Sequence, residues 1–244
     1  MAETAASAIG HGAASPFDPV ERHIEELGRG ARLSGAKVLD IGCGTGALVR
    51  RLEEAGASAW GVEVDEKMVL AAAVAGPAPD RFLTGTGQSL PFDDHTFDGA
   101  CYVFSFHHVP AVHQETALAE LARVLKPTGW GAIIEPLPFG DMTKVIEPIE
   151  DEFEVRTRAH ELLSSGRLPR LRLRGVRHYE ICRSFASAEE VIANAVKVDP
   201  RRATAARDPA VKQDLTARFE TLSRPGPNGR RVLAQPCVAF WYSV

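Results

Sequence analysis

Cysteine is scarce in this chain. The four residues Cys43, Cys101, Cys182 and Cys237 are scattered, with no spacing that suits a metal ion. This argues against a disulfide framework and against zinc, and no metal site is expected. It fits reduced thiols in a cytoplasm. No apolar run approaches the ~18–20 residues that a membrane helix needs. The first 17 residues are rich in Ala, Ser and Gly but lack the basic start and apolar core of a signal peptide, so a flexible tail or lid is expected there. There is no internal repeat. What remains is ordinary for a globular protein, with 45% hydrophobic and 25% charged residues in 244. That length fits one domain with additions. The net charge of -4 is unevenly spread: from Val155 onward there are 17 Lys+Arg against 8 Asp+Glu, and 11 against 24 before it. Such a basic last third is either solvated surface or a lobe that meets an anionic partner.

The stretch Val38-Leu39-Asp40-Ile41-Gly42-Cys43-Gly44-Thr45-Gly46 organises the chain. A short apolar run reads as a buried strand. Three glycines then alternate, permitting positive φ and bare backbone against a bulky ligand. Residues 47–54 follow with helical periodicity, which points the free N–H groups of a helix start at the turn. Such a turn suits a nucleotide-type cofactor.

In chain order, 16–32 has helical spacing at Val20, Ile24 and Leu27, with Asp18-Pro19 as its start and Gly28, Gly30 and Gly35 breaking it. Residues 57–64 read as a second strand. Glu63 lies near its end, where a carboxylate can accept from both ribose hydroxyls. A helix over 66–75, a short strand at 82–85, a loop at 86–92 and a fourth strand at 96–104 follow. Then come a helix over 114–125, a stop at 126–129 and a fifth strand at 130–136. This alternation predicts a doubly wound parallel sheet. Beyond Pro136 it stops. Helices are expected over 149–163, 188–198 and 210–222, with strands at 176–182 and 232–242.

The spacing Gly42-x-Gly44-x-x-Ala47 also satisfies the loose dinucleotide fingerprint. Asp40 argues against NAD, because a pyrophosphate would meet its charge whereas an ammonium group would be neutralised by it. Residues 38–46, Gly61-Val62-Glu63, Leu90-Pro91-Phe92, Phe97-Asp98, His107-His108-Val109 and 121–127 together resemble the class I S-adenosylmethionine-dependent methyltransferases, and within them the ubiquinone/menaquinone C-methyltransferase branch. The resemblance covers about 36–136 and implies an α/β fold. The fold would be a doubly wound, mostly parallel seven-stranded Rossmann-like sheet with an N-terminal helical lid and a C-terminal helical cap. The divisions expected are a tail and lid at 1–35, a cofactor-binding core at 36–136, a substrate-selecting cap at 137–231 and a returning strand at 232–244. The resemblance places S-adenosylmethionine (product S-adenosylhomocysteine) on Asp40, Gly42, Gly44, Gly46 and Glu63. Val64 and Met68 would flank the adenine, Gly87 and Gln88 would form its loop, and Tyr102 and Val103 would border the sulfonium. An aspartate common at the position of Thr86 is missing.

Methyl transfer needs alignment and exclusion of water, with a base where the acceptor must lose a proton. His107, His108 and Glu135 are the candidates, lying at the strand ends where ligands bind in such sheets. Arg172 and Arg174 on one face of an extended segment, with Tyr179 nearby, suggest an anionic small-molecule acceptor. Without an Asn-Pro-Pro-aromatic or Asp-Pro-Pro-aromatic motif the chain does not resemble amino-methylating DNA enzymes. RNA methylation and cofactor binding without turnover are the competing expectations, and the acidic first two thirds oppose nucleic acid. The sequence assigns no oligomeric state.

Overall fold

The computed structural model describes residues 17–76, 78–166, 168, 170–198 and 200–244. The expected tail up to residue 16 lies outside the described residues, as does Arg167, the first of the arginines at 167, 170, 172, 174 and 177 that form a basic run. Among those described, no helix is long and apolar enough to cross a membrane.

The strands are β1 (Lys37–Ile41), β2 (Ser58–Glu63), β3 (Phe82–Thr84), β4 (Phe97–Val103), β5 (Leu125–Pro136), β6 (Arg172–Phe185), β7 (Arg224–Pro225) and β8 (Arg231–Ser243). The helices are α1 (Pro19–Gly30), α2 (Ala47–Glu54), α3 (Glu66–Ala75), α4 (Gln114–Val124), α5 (Asp141–Ile146), α6 (Phe153–Ser164), α7 (Ala188–Val198) and α8 (Pro209–Leu222). The sheet order is β3-β2-β1-β4-β5-β8-β6, with the two-residue β7 pairing off this path with β8. β1 to β5 pair in parallel, whereas β8 runs antiparallel to both β5 and β6. The seven-stranded path is the expected one.

Alternation along the strands sends side chains to two cores. Leu39, Ile41, Tyr102, Ile133 and Phe240 pack with α4 and α6 on one face. Val38, Cys101, Ala132 and Trp241 pack with α1 to α3 on the other. A third cluster joins α5, α7 and α8 over the far ends of β6 and β8 through Val145, Phe185, Val191, Phe219 and Leu233.

Several expectations need correction. Gly28 does not break the first helix, which continues to Gly30 and ends there. A Cβ on Gly30 would lie 2.1 Å from the Trp241 indole, so this glycine permits close packing. Residues 126–129 do not stop short of the fifth strand but belong to β5, whose Lys126 Nζ reaches Asp98 at 2.7 Å. The expected helix over 149–163 is α6, which starts only at Phe153, and α5 is a further short helix before it, at 141–146. β6 spans 14 residues, twice the expected length, because it pairs along the whole of β8. Two of the motifs that carried the resemblance are structural clamps. Asp98 also accepts from the Lys37 N–H at 2.8 Å, and Arg123 donates to the carbonyls of Leu90 and Phe92 at 3.1 and 2.7 Å.

Gly46 (φ +75°) and Gly35 (φ +78°) share a left-handed backbone but differ in surroundings. A Cβ on Gly46 would sit 2.5 Å from the Phe82 ring, and one on Gly35 would touch nothing. Gly35→Ala should cost about 1–2 kcal/mol through conformation alone, and Gly46→Ala roughly 1–3 kcal/mol more through overpacking. Thermal or urea unfolding of the two variants checks this. Equal losses would contradict it.

Candidate functional site

The glycine turn closes on β2. The N–H groups of Gly42 and Cys43 both donate to the Val62 carbonyl, at 2.7 and 3.0 Å. Gly42 (φ +79°) and Gly46 are held by their neighbours, since a Cβ on Gly42 would lie 2.5 Å from that of Ser105. Gly44 (φ +52°) differs. Only the Met68 Sδ, at 4.0 Å, approaches the place of its Cβ, so bare backbone there borders open space. Glu63, at the end of β2, accepts from Gly44 N–H at 2.9 Å and from Val64 and Asp65 N–H at 2.8 and 3.2 Å. The structure therefore brings Gly44, Glu63, Val64 and Met68 to one edge. Val64 is 66% exposed.

Asp40 lies in β1 beneath this turn and is 2% exposed. Among the described residues, no group donates a hydrogen bond to its carboxylate. Burial, with the Glu63 charge adding, pushes its pKa up to about 8. It lines a cavity of about 210 Å³ with Gly42, Cys43, Ala47, Leu48, Val103 and Phe104, closed by Pro19, Val20 and His23 of α1 and by Ile181 and Arg183 of β6. Contacts with β6 tie the lid down. His23 Nδ1 meets the Tyr179 hydroxyl at 2.6 Å, Arg22 lies over the Tyr179 ring, and Glu26 pairs with Arg177 at 2.8 Å. His23 is held neutral, its pKa lowered to about 3 by burial and by Arg22.

Tyr102 does not border this cavity. It follows Cys101 by one residue, so its side chain points to the opposite face, where it is buried against Phe106. Val103 is returned to the cavity side. The Tyr102 hydroxyl has no hydrogen-bond partner among the described residues. A Cβ on Gly87 would come within 2.6 Å of it, so Gly87 borders this tyrosine, and Gln88 beside it is partly buried.

Past β4 the chain turns sharply. Phe104 holds φ +56°, a conformation costing a bulky residue roughly 1–3 kcal/mol. Its N–H donates to Ile134 O at 2.8 Å, and the Ser105 hydroxyl donates to Ile41 O at 2.6 Å. The turn delivers Phe106–His108 to the end of β5. There Glu135, fully buried, accepts from the Phe106 N–H at 3.0 Å and pairs with His107 Nδ1. Glu135, a candidate base in the sequence, faces the interior and lines neither cavity. It holds His107, and Glu152 lies 3.8 Å from the outer nitrogens of both histidines. Burial pulls the pKa of His107 down, but Glu135 and Glu152 outweigh it and hold it up at about 9. Burial and the His107 charge lower His108 to about 4, although its side chain remains 49% exposed. One imidazole is thus a fixed cation and its neighbour a neutral base.

His107 and His108 line a second cavity of about 180 Å³ with Glu152, Arg156, Arg202 and Asn194, under Met142, Ile146 and Leu233. Phe104, Ile181 and Arg183 line both cavities, so the two meet there. Ligand atoms of His107, His108 and Glu152 come within 4.8 Å of one another, close enough for a metal ion. The guanidinium groups of Arg156 and Arg202 on the same carboxylate oppose a further cation.

Arg172 and Arg174 are not at this site. Arg172 pairs in register with Ser243, and Ser243 with Trp130, at the sheet end remote from Pro136 and the glycine turn. The strand that carries them does reach the site, at Tyr179, Ile181 and Arg183. Sequence reasoning missed Glu152, Arg156, Arg183 and Arg202. Only the i, i+4 spacing of Glu152 and Arg156 offered a signal, and it reads equally as a surface pair.

Residues 39–133 match a family model described as a methyltransferase domain. The ubiquinone/menaquinone biosynthesis C-methyltransferase UbiE of Burkholderia mallei is 31% identical over 131 residues, covering 50% of this chain and 49% of that protein. The Burkholderia thailandensis protein of that name aligns to the same extent. The chain thus spans about half the length of the curated relatives it matches. Among solved structures, the YcgJ protein from Bacillus subtilis has a TM-score of 0.55 at 18% identity, over 92% of this chain and 97% of that one. A geranyl diphosphate methyltransferase in complex with GPP and sinefungin gives 0.53 at 15%, over 92% and 77%. These structures share the fold, and the likeness of residues 39–133 is to a methyltransferase domain.

A buried acid with a raised pKa makes a signed prediction for the free protein. Stability should fall as pH rises from about 4 toward 8, because the unfolded chain releases the Asp40 proton first. Asp40→Asn should therefore raise the melting temperature at pH 8, and the gain should shrink toward pH 4. A variant less stable than the parent at pH 8 would contradict the assignment.

Proposed function

We propose that this protein transfers the methyl group of S-adenosylmethionine to a small-molecule acceptor, at oxygen, carbon or nitrogen. The observation that carries this reading is Asp40, a buried carboxylate without a donor, lining a cavity beside the open backbone of Gly44. A cationic, adenosyl-bearing ligand fits that donor set, since Asp40 would neutralise its ammonium group and Glu63 would take its ribose hydroxyls. Gly42, Gly44 and Gly46 would shape its bed, Val64 and Met68 would flank the base, Gly87 and Gln88 would close over it, and Val103 would border the sulfonium. The methyl group is supplied on a sulfonium whose charge disperses during the transfer.

The acceptor belongs in the second cavity, which meets the first at Phe104, Ile181 and Arg183. Aligning two molecules across that junction is worth roughly 7–11 kcal/mol. The neutral, half-exposed His108 suits a general base, and Glu135 positions His107 rather than touching the acceptor. The arginines around the cavity favour an anionic acceptor, and a cavity of about 180 Å³ suits a small molecule better than a nucleic acid. All four cysteines are free, which supports a cytoplasmic setting.

Incubation with isotope-labelled S-adenosylmethionine and the small-molecule fraction of a cell lysate tests the reading. Label should pass to a low-molecular-weight product, and Asp40→Asn should abolish the passage. Protein that neither binds S-adenosylhomocysteine nor transfers label would overturn it. With an acceptor in hand, His108→Asn should lower turnover about 10²–10⁴-fold with cofactor affinity unchanged. Unaltered turnover would remove His108 from the chemistry.

A further inference from the structure

The cations that line the second cavity are not alike. Arg156 donates to Thr143 Oγ1 at 2.9 Å and pairs with Glu152. Arg202 pairs with Glu150 and Glu152 and reaches the Ala195 carbonyl at 3.2 Å. His107 is held between Glu135 and Glu152. Arg183 has none of this. Among the described residues, no carboxylate lies within ion-pair distance of its guanidinium and no acceptor takes its hydrogen bonds. Its guanidinium lies over the Phe185 ring, with the guanidinium carbon 5.5 Å from the ring centre. Two carboxylates act on it from further away, and both are committed elsewhere. Asp18 caps α1 through the Val20 N–H at 2.9 Å, and Glu190 holds Arg230 at 2.9 Å.

Arg183 is half-buried, and its donors, unmatched by any acceptor among the described residues, open onto the cavity where a ligand can meet them. Its planar fork matches a carboxylate in bidentate fashion. The register gives the direction. Arg183 lies opposite Leu233 on β8, and Leu233 lines only the second cavity. Arg183 also stands at the junction, beside Phe104 and Ile181, where the transferred group must cross.

We propose that Arg183 receives a carboxylate of the acceptor, so that the acceptor is a small carboxylic acid whose acid group lies within a few bonds of the methylated atom. This rests on the methyl-transfer reading and deepens it by naming the substrate class. The cavity is of the size that holds a single ring, and a short acid anchored at the junction presents its neighbouring atom to the first cavity.

Calorimetry on the protein loaded with S-adenosylhomocysteine tests this. The probes are benzoate, 2-hydroxybenzoate and short aliphatic carboxylates, each paired with its primary amide. The acids should bind roughly 10–100-fold tighter than the matched amides. Arg183→Gln should erase that preference and leave affinity for S-adenosylhomocysteine within about twofold. Arg183→Lys, which keeps the charge without the fork, should retain part of it and so exclude a folding defect. No acid binding ahead of its amide would overturn the proposal, as would a preference that survives Arg183→Gln. A loss of S-adenosylhomocysteine affinity in Arg183→Gln above about tenfold would also overturn it, because the arginine would then serve the cofactor's own carboxylate. Failure of the parent protein to bind S-adenosylhomocysteine would instead sink the methyl-transfer reading itself.

Discussion

The structure depends on one carboxylate withdrawn from water where the central strands end. Asp40 stands on β1, flanked by β2 and β4, with the glycine turn folded over it. In the free protein this position costs stability, because no donor among the described residues compensates the charge. The neighbourhood makes sense when it is completed by a cation. The turn supplies bare backbone at Gly44, β2 supplies Glu63 at the rim, and α1 supplies a lid tied to β6. Each depends on the parallel order of the sheet, which brings the carboxyl ends of β1, β2 and β4 together.

The second cavity follows a different electrostatic logic. Its charges are largely settled within the protein, with Glu135 and Glu152 around His107 and with Arg156 and Arg202 on Glu152. A settled network does not need a ligand, but it fixes the state of the groups beside it. Burial, with the charge on His107 adding, keeps His108 neutral, and the strained turn at Phe104 places both. Arg183 stands outside that balance, which is why the unmet chemistry of this cavity concentrates at the junction of the two.

The first half of the fold was legible because local signals agreed. Apolar strands, glycine punctuation and helical periodicity all pointed to the same elements between 37 and 136, and the ligand-facing residues of the glycine turn sit next to one another in sequence. Tyr102 was misplaced because the end of a strand does not declare which face each residue takes, and a step of one reverses it. The acceptor side was less readable for a different reason. Arg156, Arg183 and Arg202 converge from a helix, a strand and a loop that follow one another without a common motif. Arg172 and Arg174 drew attention as a run, yet strand direction carries them to the far end of the sheet. The basic last third drew attention to arginines that the strand direction keeps away from the site.

The most direct test is the proton count on binding. If Asp40 is protonated in the free protein and ionises against the ligand's ammonium group, S-adenosylhomocysteine binding near pH 7 should release close to one proton. Calorimetry in buffers of different ionisation enthalpy measures that number. The release should decline above about pH 8 and vanish in Asp40→Asn. Tight binding with no proton released at pH 7, or a release that survives Asp40→Asn, would contradict the account.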